Sequence, residues 1–305
     1  MNQPNSDPAA GSTPPLIKRN ITLFALSQSF NGAGMQLAYG IGPLMVLELT
    51  ASPALAGLSV ALIALSRFLV AYPAGRIMDT YGRKPAILLG LGLALFGAVG
   101  LGLSIELGSI ALLAVGMLVF GMGMNAAQQL RVAATDMFPP HRRGQALGYV
   151  ALGSLAGLLF FPPIMHFSEI YAARLGHNPL GLPWLVIPLL ILPGMVLIKL
   201  VRPDPKEIGM NLQRYYPDYV PPPRIAEDVR AVYSWRTAVR PLPIRLAIAC
   251  NCAAQGNMAV IMVLTSLVLH NHGFSLSAIA FSHMFHSAGM FAFTIPLGWL
   301  SDRIG

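Results

Sequence analysis

Charge is what this sequence has least of. Asp, Glu, Lys and Arg make up 10% of its 305 residues, where a soluble domain carries about 25%. Hydrophobic residues make up 55%, so a water-soluble fold of this length is excluded. Cysteine is almost missing. The two present, Cys250 and Cys252, lie inside an apolar run, and their number and place exclude a disulfide framework. They read as small apolar packing residues. His270 and His272 lie about 20 helical residues from them, roughly 30 Å, so no metal site with bonds of ~2 Å holds both pairs. Carboxylates are absent from the middle of the apolar runs. Glu48 and Glu106 fall near one end, and Asp79, Asp136 and Asp302 near the other. No nucleophile with its base, metal cluster or carboxylate pair lies in these runs, which argues against an enzyme and implies no cofactor.

Long apolar runs are what fills the chain. A bilayer core takes roughly 20 apolar residues per helix. Eight runs meet that length, at about 21–47, 54–78, 86–105, 108–131, 145–167, 182–200, 245–269 and 276–300. Lipid offers backbone groups no water partner, so each run is expected to be an α-helix and the chain an all-α membrane protein. Barrel strands alternate over about ten residues, and these runs do not. The polar residues 1–20 precede a run longer than a signal-peptide core, which is expected to be retained as the first span.

The net charge of +8 is placed by the spans. Lys18 and Arg19 precede the first. Arg76, Arg83 and Lys84 flank the turn between the second and third. Arg131, Arg142 and Arg143 lie between the fourth and fifth, and most remaining basic residues surround the segment after the sixth. If eight spans alternate, these share one side, Arg174 falls on the other, and Arg67 lies within the second span. Such a bias marks the cytoplasmic side, predicts a cytoplasmic N-terminus in a plasma (bacterial inner) membrane, and argues for a lipid bilayer rather than nucleic acid as the partner.

Polar groups are confined to certain spans. The first holds Gln28, Asn31 and Gln36 on a broad arc of one face, with Tyr39. The fourth holds Asn125, Gln128 and Gln129, and the seventh Asn251, Gln255 and Asn257. Residues 86–103 and 183–198 contain no Asn, Gln, His or charge. Spans one, four and seven are therefore expected around a polar centre, with three and six against lipid. The polar residues either glue helices together or face an aqueous cavity. Arg67 stands about 12 residues before Asp79, roughly 18 Å along a helix and so at mid-depth. Either amides and carbonyls hold it as a structural residue, or it faces the cavity and attracts an anionic group. His283 and His286 share a face as a packed or cavity-facing pair. Gly148, Gly153 and Gly157 permit close packing, and Pro162-Pro163 should end or kink the fifth span. Residues 202–243 form a proline-rich linker. In it Ile225, Val229, Val232 and Trp235 recur at helical spacing, either as an amphipathic helix on the membrane surface or as a disordered connector.

One stretch repeats. Pro73, Gly75, Asp79 and Gly82 correspond to Pro296, Gly298, Asp302 and Gly305 at a constant offset of 223, which lays residues 21–82 on 244–305. The implied plan is a parallel repeat: a tail (1–20), a six-helix bundle (21–201), the linker (202–243), and the first two helices of a second bundle (244–305). Gly75-Arg-Ile-Met-Asp79-Thr-Tyr-Gly82-Arg83-Lys84 resembles the signature loop of the major facilitator superfamily, and Gly298-Trp-Leu-Ser-Asp302-Arg303-Ile-Gly305 resembles its second copy. Asp136-Met-Phe-Pro-Pro-His-Arg-Arg143-Gly144 looks like that family too.

The resemblance implies a major facilitator fold and a secondary transporter that alternates between inward-open and outward-open states. Gly75 would let the second span press on the eleventh, Asp79 would face a helix N-terminus, and Arg83 would pair with Asp79 or Asp136. Asp302 would meet the start of the fifth span near Gly144. Family members have twelve spans, so the chain is expected to be truncated within the second loop. Met117 replaces the arginine of proton-coupled members, and no Gly-Pro signature of drug antiporters lies between Gly144 and Phe161, which argues against proton-driven drug export. The expected partners are a small-molecule solute and a coupling ion. If Arg67 faces the cavity rather than serving as a structural residue, the solute is expected to be anionic. The candidate contacts are Gln28, Asn31, Gln36, Arg67, Asn125, Gln128, Asn257 and His286. The alternative is a membrane protein that no longer transports, acting as a sensor or assembly partner or left inactive.

Overall fold

The computed structural model describes residues 13–220 and 239–292. Among these there are helices and turns and no strand. In chain order the helices are α1 (Pro15–Thr50), α2 (Leu58–Tyr81), α3 (Arg83–Glu106), α4 (Ile110–Ala127), α5 (Leu130–Asp136) and α6 (Arg143–Leu158). They continue with α7 (Phe161–Leu175), α8 (Leu182–Leu200), α9 (Pro205–Met210), α10 (Leu212–Tyr215), α11 (Leu242–Asn271) and α12 (Leu276–Ala292).

Six stretches among the described residues are long and apolar enough to cross a membrane: Pro53–Tyr81, Arg83–Glu106, Ile110–Asp136, Arg143–Ala172, Leu182–Met210 and Leu242–Asn271. α1 is long enough at 36 residues but too polar for that set, and α12 is described over 17 residues. The polarity of α1 has a structural reason. It runs through the middle of the first bundle, packed on α2, α4, α6 and α8, so its polar groups meet protein rather than lipid.

Helix breaks follow local chemistry. The fifth span divides into α6 and α7 at Leu159–Phe160, and a proline opens α7, where the missing N–H leaves no helical bond unmade. The fourth span also divides, which its sequence does not announce. Gln129 N donates to Ala126 O at 3.2 Å and Arg131 N to Gln128 O at 3.1 Å, a tight turn without proline or glycine.

Packing is most extensive between α3 and α4. A Cβ on Gly97 would lie 2.3 Å from the Phe120 nitrogen, and one on Gly123 would lie 2.2 Å from the Ala94 nitrogen. Small residues let the two backbones touch, and that contact replaces the hydrophobic drive that lipid removes. Below this seam Trp184 meets Phe120 edge-on with centroids 5.0 Å apart. The far face of α3 presents Leu89, Phe96 and Leu103 outward, and α8 presents Leu189, Leu192 and Val196. Lipid therefore wraps one face of each, while the other face builds the bundle.

Several expectations change. Gly153 and Gly157 meet α1 closely, but Gly148 faces open space. Cys250 and Cys252 do not pack among the described residues; both are exposed on α11. The start of the linker is folded rather than loose: Pro205, Ile208, Leu212 and Tyr216 are buried, with α9 against α3 and α5. The pattern from Ile225 to Trp235 and the second loop, with Gly298, Asp302 and Arg303, lie outside the described residues.

Candidate functional site

The first bundle encloses a cavity of about 70 Å³ between α1, α3, α4, α5 and α6. From α1 it is lined by Gln28, Asn31, Gly32, Met35 and Gln36, a stripe spaced by three and four residues that one helix face produces. The break after α4 adds Gln128 and Arg131, and α6 adds Ser154 and Leu158. At ~30 Å³ per water the space takes about two waters, or one polar group of a solute.

The candidate residues divide within this frame. Gln28, Asn31, Gln36 and Gln128 are brought to the cavity. The carboxamide of Asn31 also works as glue. Its Nδ2 donates to Ser27 Oγ at 3.2 Å, Ser27 Oγ donates to Gly194 O at 3.0 Å, and the amide sits against Gly194 of α8. Gln36 Nε2 donates to Ser287 Oγ at 2.7 Å. Asn31 Oδ1, Gln36 Oε1 and His286 Nε2 are buried atoms with no partner among the described residues. His283, its neighbour on α12, is packed, with ring nitrogens 2.9 Å from Ile279 O and 3.3 Å from Ser266 Oγ. Asn257 is exposed on α11 and takes no part in the cavity.

Arg67 and Asn125 form a separate unit. Arg67 Nε donates to Asn125 Oδ1 at 3.0 Å, and Asn125 Nδ2 donates to Gly121 O at 2.7 Å. The Tyr39 phenol lies near enough to Arg67 to feel its charge. Of the two alternatives for Arg67, the amide contact of the structural one is present: the Asn125 side chain orients it. Its charge, however, meets no carboxylate among the described residues. The side chain is exposed on α2 beside Phe68 and does not line the cavity.

The signature turn sits at the basic end of the bundle. Gly82 has φ +104°, a conformation that favours glycine, and a Cβ there would lie 2.8 Å from Asp204 Oδ2. Arg83 takes both expected partners. Its Nε donates to Asp136 Oδ2 at 2.7 Å and its Nη1 to Asp79 Oδ1 at 3.2 Å, while the Asp79 side chain stays 78% exposed. Lys84 Nζ donates to the carbonyls of Lys199 and Val201. Gly75 faces open space, and Arg143 is exposed at the start of α6.

Asp204 is the residue that sequence reading missed. Its Oδ1 accepts from Arg83 N at 3.0 Å and from Lys206 N at 2.9 Å, and its Oδ2 from Lys84 N at 3.0 Å. One carboxylate thereby caps α3 and α9 together. Lys206 Nζ reaches back to the carbonyl of Asp79. The signal was Asp204-Pro205, a helix-start pair inside what looked like linker. Tyr216 closes the same corner. Burial pushes its phenol up to about 12, so it stays protonated near neutrality and donates to Met137 O at 3.3 Å.

The two blocks, α1–α8 and α11–α12, meet toward the opposite end. Ser266 Oγ donates to Gly40 O at 2.6 Å, beside the Gln36–Ser287 bond. Residues 242–257 of α11, toward the basic end, are exposed among the described residues, and its buried positions are Met262, Ser266 and Leu267.

Comparison with known proteins agrees with this architecture. The sequence pattern of the Major Facilitator Superfamily matches residues 24–305. YdeG of Bacillus subtilis (strain 168), described as an uncharacterized MFS-type transporter, is 26% identical over 296 residues, covering 95% of this chain and 66% of that protein. The riboflavin transporter RfnT of Brucella anthropi is 24% identical over 290 residues, covering 94% and 68%. The crystal structure of a D-xylose-proton symporter superposes with a TM-score of 0.64 at 17% identity, covering 94% of this chain and 69% of that one. The chain thus spans about two-thirds of the length of the curated relatives it matches.

Proposed function

Because the chain belongs to the Major Facilitator Superfamily, a family of transporters rather than enzymes, we propose that it moves a small solute across a membrane by alternating access, as the larger part of a twelve-span transporter. The observation that carries this reading is the one-sided seam. Among the described residues the two blocks touch toward the end remote from the signature turn, through Ser266–Gly40 and Gln36–Ser287. A transporter holding one gate closed and the other open is expected to look this way. The clustering of Arg19, Arg83, Lys84 and Lys199 at the basic end supports a cytoplasmic placement of that end and of the N-terminus, in a bacterial inner membrane.

The solute is read as anionic. An arginine at mid-depth is costly unless compensated, and Arg67 is held by Asn125 and meets no carboxylate among the described residues. An acid group of the solute supplies the missing charge. The test is uptake by the complete transporter of a matched panel of carboxylate and neutral solutes. Arg67→Ala is expected to lower carboxylate uptake at least about tenfold, the loss of one charge-assisted hydrogen bond. Unchanged uptake of every anion rejects the anionic reading.

A second reading takes the solute as neutral and rich in donors. Carboxamides line the cavity, and Asn31 Oδ1 and Gln36 Oε1 lack partners among the described residues. One relative is named a riboflavin transporter. Riboflavin included in the same panel separates the two. Reconstituted flux by the 305-residue chain itself tells a transporter from a protein that keeps the fold without transport.

A further inference from the structure

The first turn of α12 has an unusual set of partners. Ser275 Oγ accepts from Ala278 N at 3.2 Å, an ordinary N-terminal cap. The two preceding N–H groups are taken by the other block. The Glu169 carboxylate on α7 accepts from Leu276 N, from Ser277 N at 3.3 Å, and from the Ser277 hydroxyl. The first-turn N–H groups of a helix have no partner of their own and carry the positive end of its dipole. Here a carboxylate belonging to the first bundle satisfies them for the second.

We propose that Glu169 is the latch that holds the transporter closed at the end remote from the signature turn. It lies in a half-buried position on the last two turns of α7, where α7 and α12 pack. With Gln36–Ser287 and Ser266–Gly40 it completes a row of bonds across the seam. Parting the blocks at this end removes the carboxylate from the α12 N-terminus and opens all three. Its counterpart at the basic end is Asp79, whose carboxylate is exposed. Glu169 reaches across the seam to the other block, whereas Asp79 pairs with Arg83 inside its own bundle. The inference rests on the alternating-access reading and adds the residue that holds one of its states.

Accessibility at the seam tests it. In a Cys250→Ser, Cys252→Ser background, Ala280→Cys places one thiol on α12, at a position buried to 0% exposure. Its reaction rate with a membrane-impermeant maleimide, added outside cells, reads the open fraction. Glu169→Gln keeps the shape and removes the charge. It is expected to raise that rate about tenfold, the factor a 1.4 kcal/mol shift produces. Ser277→Ala, which removes one of the three bonds from the other side, is expected to raise it less. It should add nothing in a Glu169→Ala background, since both changes then break the same contact. Labelling as slow in Glu169→Gln and Glu169→Ala as in the parent overturns the latch. Faster labelling in a chain that shows no flux upholds the latch and sinks the transport reading, so the two failures are distinct.

Discussion

Replacing Asp204 by alanine is expected to destabilise the first bundle by about 3 kcal/mol, a shift of several degrees in thermal unfolding. The side chain accepts from three backbone N–H groups, two at the start of α3 and one at the start of α9. Each helix loses its cap at once, and a cap contributes about 1 kcal/mol, up to ~2 where the acceptor is charged and sheltered. Water reaches this half-buried corner, which keeps the cost from rising further. Asp204→Asn keeps one acceptor oxygen and is expected to retain about half of the stabilisation. Unfolding of the detergent-solubilised chain, followed by circular dichroism, decides it. An unchanged midpoint in Asp204→Ala means the contact does nothing for stability.

Glycine to leucine at two positions gives opposite outcomes for the same chemistry. Gly97→Leu drives a side chain into the backbone of α4, where the first added carbon already lies 2.3 Å from the Phe120 nitrogen and 2.5 Å from its Cα. Backbone cannot rotate out of the way as a side chain does, so the helices must part. The expected loss is about 3 kcal/mol or more, seen as failure to accumulate in membranes. Gly75→Leu meets nothing within 4 Å among the described residues, and leucine is the better helix former by about 0.8 kcal/mol. The folded chain is expected to tolerate it. Gly75 was expected to serve contact with a later span, so the same change should slow turnover in a complete transporter. Equal accumulation of both variants counts against the packing account.

The reach of the sequence ends where contacts become distant. Residues 182–200 were legible as a span and form α8, and Pro162-Pro163 announced the break before α7, because apolar length and proline act locally. The division at Gln128–Gln129 was not legible, since no local breaker marks it. What the break achieves is tertiary: it carries Gln128 and Arg131 to the cavity. Arg83 showed which carboxylates it would meet but not that it meets both. Asp204 lies 121 positions from Arg83, and Asn125 lies 58 from Arg67. Pairings over such separations depend on how bundles stack, which periodicity does not encode. The amide stripe on α1 was legible as a face, whereas the wedging of Asn31 against Gly194 required α8 beside it.

The double cap at Asp204 makes the stretch after the sixth span part of the first bundle. Residues 204–216 are pinned to α3 and α5 by Asp204, Ile208 and Tyr216. They belong to the first bundle. Deletions within 204–216 are therefore expected to lower the stability of the first bundle rather than merely shorten a connector.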